Sequence, residues 1–163
     1  MATKAKSRKS VRQLANPSDP DFQLTNSPFY ALSQVNGKYT LAMEQSLKAV
    51  GMDLPRWRVL MVLHEHNPST ISEISRRSVM KLSTMTKVAQ RLEKEGYVKL
   101  KANQTDRRVT DVFLLSKGDE AVETIRRIAC TVYSQATNEL TDKDLETLLK
   151  LLDKLERALA PYQ

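Results

Sequence analysis

The sequence has a single cysteine, Cys130, so no disulfide within the chain can brace the fold, and this usage suits a reducing compartment. Four glycines and 6% aromatic residues are too few for a β-rich sandwich. The longest apolar run is five residues, Val59 to Leu63, against the roughly 20 that a membrane-spanning helix needs. The basic amino-terminal stretch lacks the apolar segment of a signal peptide, so a cytoplasmic protein with no membrane partner is expected. Catalytic signatures are also missing. There is no glycine-rich phosphate loop and no nucleophile elbow. His64 and His66 are two positions apart and point to different helix faces, whereas a zinc-binding helix spaces its histidines by four. No enzymatic activity, metal or cofactor is expected.

What the chain does have is helix-forming residues and unevenly placed charge. Leu, Lys, Glu, Arg and Ala are abundant, and 163 residues with 40% hydrophobic content suit one mainly helical domain with extensions. The formal net charge is +7, but residues 1–12 alone carry five basic and no acidic groups. Residues 76–108 carry ten basic and three acidic groups, which leaves the rest of the chain net acidic. Positive charge gathered into a tail and one middle segment is the footprint of a polyanion partner.

Residues 1–26 are polar and aperiodic, and a mobile basic arm is expected there. Ser27-Pro28 opens a helix whose stripe runs Leu32, Val35, Tyr39, Met43, Leu47 and Val50 to a stop at Gly51. Asp53 caps the next helix, with Trp57, Leu60, Met61 and His64 on its inner face and Asn67-Pro68 as its end. Thr70 to Glu73 is a capping box that starts a short helix, and Ser78 to Lys81 make a turn. The following helix buries Met85, Val88, Ala89 and Leu92 and ends at Gly96. Tyr97–Lys101 and Val109–Leu114 read as a hairpin. Two long helices close the chain, one with an apolar stripe from Ala121 to Ala136, the other with leucines from Leu145 to Leu159.

A short helix, a tight turn and a second helix make a helix-turn-helix, and the hairpin beyond it makes a wing. The second helix offers small hydroxyl side chains at its start, which let it approach base edges closely. Ser83, Thr84, Thr86, Lys87 and Gln90 form the expected groove-facing set, with Arg91 on phosphate. At the wing tip, Arg108 can enter a narrow minor groove and Arg107 meets phosphate. Asp106, separated from Arg108 by one residue, lies on the same side of an extended arm and can pair with its guanidinium.

Three stretches, WRVLMVL at 57–63, LSTMTKVAQRLEKEGYV at 82–98 and DRRVTDVFLLSKG at 106–118, resemble the MarR-type winged helix-turn-helix regulators. The resemblance covers residues 27–160 and matches the family wing at Asp106, Arg108, Leu114 and Gly118. Leu115 stands where that family usually has Thr, which shifts the expected helix cap to Ser116. The resemblance implies a homodimer on a pseudo-palindromic stretch of double-stranded DNA. Residues 27–51 and 116–163 would form the dimerisation region, and 52–115 the winged DNA-binding lobe.

It further implies a repressor released by a small effector, such as an aromatic acid or its acyl-coenzyme A thioester. Phe29, Tyr30, Tyr39, Met43, Trp57, Met61 and His64 are the lining candidates, with Arg56 or Arg58 for a carboxylate. At each position plain core packing competes with that role. Cys130 lies within the penultimate helix beside its apolar stripe, which favours a buried, inert thiol over an oxidation-sensing regulator. The rival from another class is a non-specific architectural DNA-binding protein. It accounts for the charge but not for a base-reading helix.

Overall fold

The computed structural model describes residues 9–162. It is mainly helical with one small antiparallel sheet, arranged as a winged helix-turn-helix between long terminal helices. The first eight residues of the expected arm lie outside the described residues. The remainder of that segment is folded locally. Helix α1, Val11–Leu14, is opened by a reciprocal cap between Ser10 and Gln13. Lys9 pairs with Asp19 and Asp21, and a turn of 3-10 helix follows at Leu24–Asn26.

Helix α2, Pro28–Lys48, begins with Pro at its first position, where a missing N–H costs nothing. Only its second half is buried, at Met43 and Leu47. Val35 and Tyr39, expected on the same stripe, are exposed because the first half extends past the lobe. Helix α3, Leu54–Glu65, is capped by Asp53. Its buried stripe is Arg56, Val59, Leu60 and Leu63, so the inner face is rotated by one residue from the sequence expectation. Trp57 and Met61 are half-buried at its flanks and His64 is exposed. The physical reason is Arg56. A charged residue inside the stripe reads as outward-facing, and that moves the apparent phase.

Helices α4, Ile71–Arg77, and α5, Leu82–Lys94, follow, then β2, Val98–Ala102, and β3, Thr110–Leu114. The hairpin pairs Val98 with Leu114 through Ala102 with Thr110. A third strand, β1, Ser69–Thr70, was not expected. It adds to the other edge of β3, where Ser69 faces Val112 and Thr70 faces Asp111. Two residues leave no alternation for a sequence reading to detect.

Helix α6, Ser116–Thr137, packs along α2 and α3. Ser116 is its first helical residue and not its cap. The cap position is Leu115, whose side chain makes no hydrogen bond but whose N–H donates to Tyr97 O at 3.0 Å. That bond fastens the helix start to the base of the wing. Gly118 is buried here, and a Cβ on it would stand 2.5 Å from both Leu114 Cδ1 and Tyr97 O. Leu63, Ile74, Met85, Leu92, Val98 and Val112 centre the lobe's core, which continues through Met43, Leu47, Val122 and Ile125 into the long helices.

Helix α7, Asp142–Leu159, opens with a reciprocal Thr141–Asp144 cap. None of its residues is buried, and Leu148, Leu149, Leu151 and Leu159 are exposed. Cys130 on α6 is also exposed, against the expectation of a buried thiol. The position falls on the outward side of the Val122, Ile125, Val132 stripe. No helix among the described residues is long and apolar enough to cross a membrane.

Candidate nucleic-acid interface

The helix-turn-helix is built by local hydrogen bonding. Thr70 and Glu73 cap the start of α4 reciprocally, and the pair satisfies two backbone donors that the helix itself leaves open. The Thr70 N–H and hydroxyl bonds hold the Glu73 carboxyl below its usual range, because both stabilise the charged form. At the other end, Met80 N donates to Ser75 O at 3.1 Å and Val79 N to Arg76 O at 3.2 Å. This closure requires a left-handed residue, and the residue there is Val79, with φ of +52°. Ser75 Oγ locks the turn by donating to Met80 O at 2.6 Å.

Helix α5 then presents two unlike faces. Met85, Ala89 and Leu92 are buried, while Ser83, Thr84, Lys87 and Gln90 are exposed together on the opposite side. No side chain among the described residues caps its first turn, so the opening N–H groups stay available to an acceptor. Thr86 is half-buried and turns its hydroxyl back onto Leu82 O at 3.0 Å. Arg91 is not a free cation. Its Nε donates to Glu95 Oε1 at 2.9 Å and its Nη1 to Asp53 Oδ2 at 3.3 Å. Gly96, with φ of +78°, ends the helix and turns the chain into the wing.

At the wing tip the organising residue is one that the sequence reading passed over. Asn103 Oδ1 accepts from the N–H and hydroxyl of Thr105, at 2.9 and 2.7 Å, and from Asp106 N at 3.1 Å. Its amide donates to both oxygens of Asp111 across the hairpin. The run Asn103-Gln104-Thr105-Asp106 has the composition of an Asx turn, which was the available signal. Asp106 does not pair with the Arg108 guanidinium as expected. Its Oδ1 accepts from the Arg108 backbone N–H at 2.9 Å, which shapes the turn and leaves the side chains of Arg107 and Arg108 exposed. An acceptor two residues from its donor is in range of the main chain first, and that is the contact made.

The candidate effector residues do not gather in one place. Met43 is wholly buried in the core, Trp57 and Met61 pack against that core, and Trp57 Nε1 is buried with no hydrogen-bond partner among the described residues. Arg56 is not available to a ligand: Nε donates to Asp53, Nη1 to Glu95 at 2.7 Å and Nη2 to Gly51 O at 2.7 Å. Tyr30 is half-buried and His64 exposed. Phe29 lines an apolar groove of about 630 Å³ together with Val11, Arg12 and Leu155. Tyr39 lines another, of about 340 Å³, between α2 and α6, with Val35, Lys38, Ala42, Val132 and Gln135. Burial raises the Tyr39 phenol, opposed by the nearby charge of Arg58, which is itself half-buried. Arg12 and Lys38, cations beside these two grooves, were not singled out in the sequence.

A family model described as MarR family matches residues 52–110. The HTH-type transcriptional repressor IacR of Pseudomonas putida is 36% identical over 138 residues, which cover 85% of this chain and 83% of that protein. Among solved structures, a probable transcriptional regulator from Pseudomonas aeruginosa superimposes with a TM-score of 0.71 at 27% identity, over 82% of this chain and 99% of that one. A structure of Bordetella bronchiseptica BpsR, described as concerning regulation of its DNA binding by 6-hydroxynicotinic acid, has a TM-score of 0.71 at 17% identity, with 78% and 96% covered.

Proposed function

This chain belongs to the MarR family of transcriptional regulators, and from that membership we propose that it is a homodimeric, sequence-specific repressor released from DNA by a small aromatic effector. Members of the family are DNA-binding regulators and not enzymes. The observation that carries the finer reading is the division of α5. Ser83, Thr84, Lys87 and Gln90 lie exposed on one face of a helix whose other face closes the core. These side chains enter the major groove and read base edges. Arg107 and Arg108, held out by the Asn103 turn, meet phosphate and the adjoining minor groove.

Two lobes, each formed by residues 52–115, then read two halves of a pseudo-palindrome. The dimer forms through residues 27–51 and 116–163. Exposed leucines on an α7 with no buried residue support this, because such a face is unstable in water.

The effector is an aromatic acid or its acyl-coenzyme A thioester. The groove beside Tyr39 supports this class, since it joins apolar walls to the cation of Lys38. The ligand named for BpsR, an aromatic acid acting on a protein of the same fold, supports it as well. A ligand that favours the DNA-incompetent dimer must by linkage bind the DNA-bound dimer less well. Trp57, the only tryptophan, provides the readout. Aromatic acids and their thioesters are titrated while Trp57 fluorescence and affinity for a selected duplex are followed. One that binds should change both together, and a panel that changes neither would remove this effector class. The exposure of Cys130 sustains a second reading, release by oxidation. Loss of DNA binding under a mild oxidant that Cys130→Ser abolishes would establish it instead.

A further inference from the structure

At the carboxyl end of α5, four charged side chains from separate parts of the lobe meet. Arg56, only 8% exposed, spends its whole guanidinium on Asp53, Glu95 and Gly51 O. Glu95 divides its carboxylate: Oε2 accepts from Arg56 at 2.7 Å and Oε1 from Arg91 at 2.9 Å. The Glu95 carbonyl also accepts from Lys117 Nζ at 2.7 Å, which ties the same residue to the start of α6. Glu95 is therefore fixed from three directions. Among the described residues Arg91 is bound through Nε and Nη1 only, and its side chain is 57% exposed.

We propose that Glu95, immobilised by Arg56, is a positioning residue for DNA binding, and that it aims the unbonded side of the Arg91 guanidinium at a backbone phosphate. The proposal rests on the reading that α5 faces DNA. It adds an ordering device to that face. An arginine held in one rotamer before binding loses less freedom when it meets phosphate than one that is free in solvent. A carboxylate so close to a polyanion would ordinarily repel it. Here Asp53 and Glu95 are matched by Arg56 and Arg91, so the cluster has no net charge to oppose the phosphate. The pairs of Arg91 are on the surface, where such bonds are weak and leave the cation free to share itself with a new partner. Burial pushes the Glu95 carboxyl up, but the bonds from Arg56 and Arg91 outweigh it and hold it below the usual range.

The test is a mutant cycle read on the full-length protein with a duplex that the wild type selects from a random library. Arg91→Ala should weaken binding about tenfold per subunit, as expected for a charge-assisted hydrogen bond, and lower the salt dependence by about one counterion per subunit. Glu95→Gln should weaken binding several-fold in the wild-type background although it removes a negative charge. In the Arg91→Ala background the same change should cost nothing further, because Glu95 acts through Arg91. Tighter or unchanged binding by Glu95→Gln, or the same loss in both backgrounds, overturns the proposal. A purely structural role predicts that second pattern, with a matching fall in melting temperature. If Arg91→Ala loses affinity but the cycle is additive, positioning fails while the reading of α5 stands. If Arg91→Ala, Lys87→Ala and Gln90→Ala are all neutral, α5 itself does not face DNA.

Discussion

Asp106 offers a substitution series in which charge and geometry pull in opposite directions. Its Oδ1 accepts from the Arg108 N–H at 2.9 Å, and its own carbonyl accepts from Val109 N at 2.9 Å, so it stands at the corner of the wing turn. Asp106→Asn keeps a side-chain oxygen in place for that N–H and removes one negative charge near a polyanion. Asp106→Ala removes the charge and the acceptor together. A single exposed hydrogen bond contributes about 0.5–1.5 kcal/mol, and loosening the turn also frees Arg107 and Arg108. The charge term has the opposite sign and is smaller. At about 10 Å in water a pair of unit charges is worth roughly 0.4 kcal/mol before salt screens it. The expected order of operator affinity is therefore Asn at least equal to wild type, with Ala weaker by about two- to fivefold per subunit. Fluorescence anisotropy with one labelled duplex at one salt concentration measures it. If Ala and Asn bind alike, Asp106 acts only through its charge and the turn geometry is irrelevant. If Asn is the weaker of the two, the carboxylate itself is required, as it would be for pairing with the Arg108 guanidinium.

Val79 is a β-branched residue at φ +52° and 91% exposed, so Val79→Gly should stabilise the fold by about 0.5–1 kcal/mol. Thermal unfolding should show a rise of roughly 1–4 °C, and an unchanged or lower midpoint would mean that the turn is not strained. Glu73, Glu95 and Asp144 all have carboxyls lowered by their partners, so their contribution is fully present above the ordinary carboxylate range of about 4. It is lost as pH falls through the lowered folded values. The melting temperature should be flat from neutral pH to about 5 and drop below about 4. Glu73→Gln should make that drop shallower, and an identical acid profile would exclude the cap as a contributor. Leu148 is 45% exposed in the single chain, so Leu148→Glu should leave the subunit folded yet break a dimer that buries it. Light scattering should give twice 18.5 kDa for wild type and a single chain mass for the variant; one chain mass for both would reject the dimer.

The parts of the fold that the sequence revealed are those whose determinants are local. Asp53 and Thr70 each cap the helix that follows within three residues, and Gly96 is the left-handed stop that its position suggested. The amphipathy of α5 was legible for the same reason, since Met85, Ala89 and Leu92 repeat at helical spacing. Much of what was missed depends on partners distant along the chain. Arg56 was read as a ligand group because Glu95, which binds it, lies 39 residues away. The same buried arginine displaced the apparent inner face of α3 and placed His64 on it wrongly. Strand β1 exists only because β3 has an open edge beside it. Asp106 was assigned the right neighbour but the wrong atom of it. Spacing gives the side of a strand and does not tell main chain from side chain.

The function proposed for this regulator depends on the exposed face of α5 reading sequence. Selection of bound duplexes from a random library, carried out in parallel for wild type and for Gln90→Ala and Lys87→Ala, tests it most directly. Wild type should select a discrete inverted repeat, and each variant should show an altered preference at matched positions of both halves, worth about 1–3 kcal/mol per lost base contact. The same consensus for all three proteins, or no consensus at all with equal binding to unrelated DNA, would contradict it.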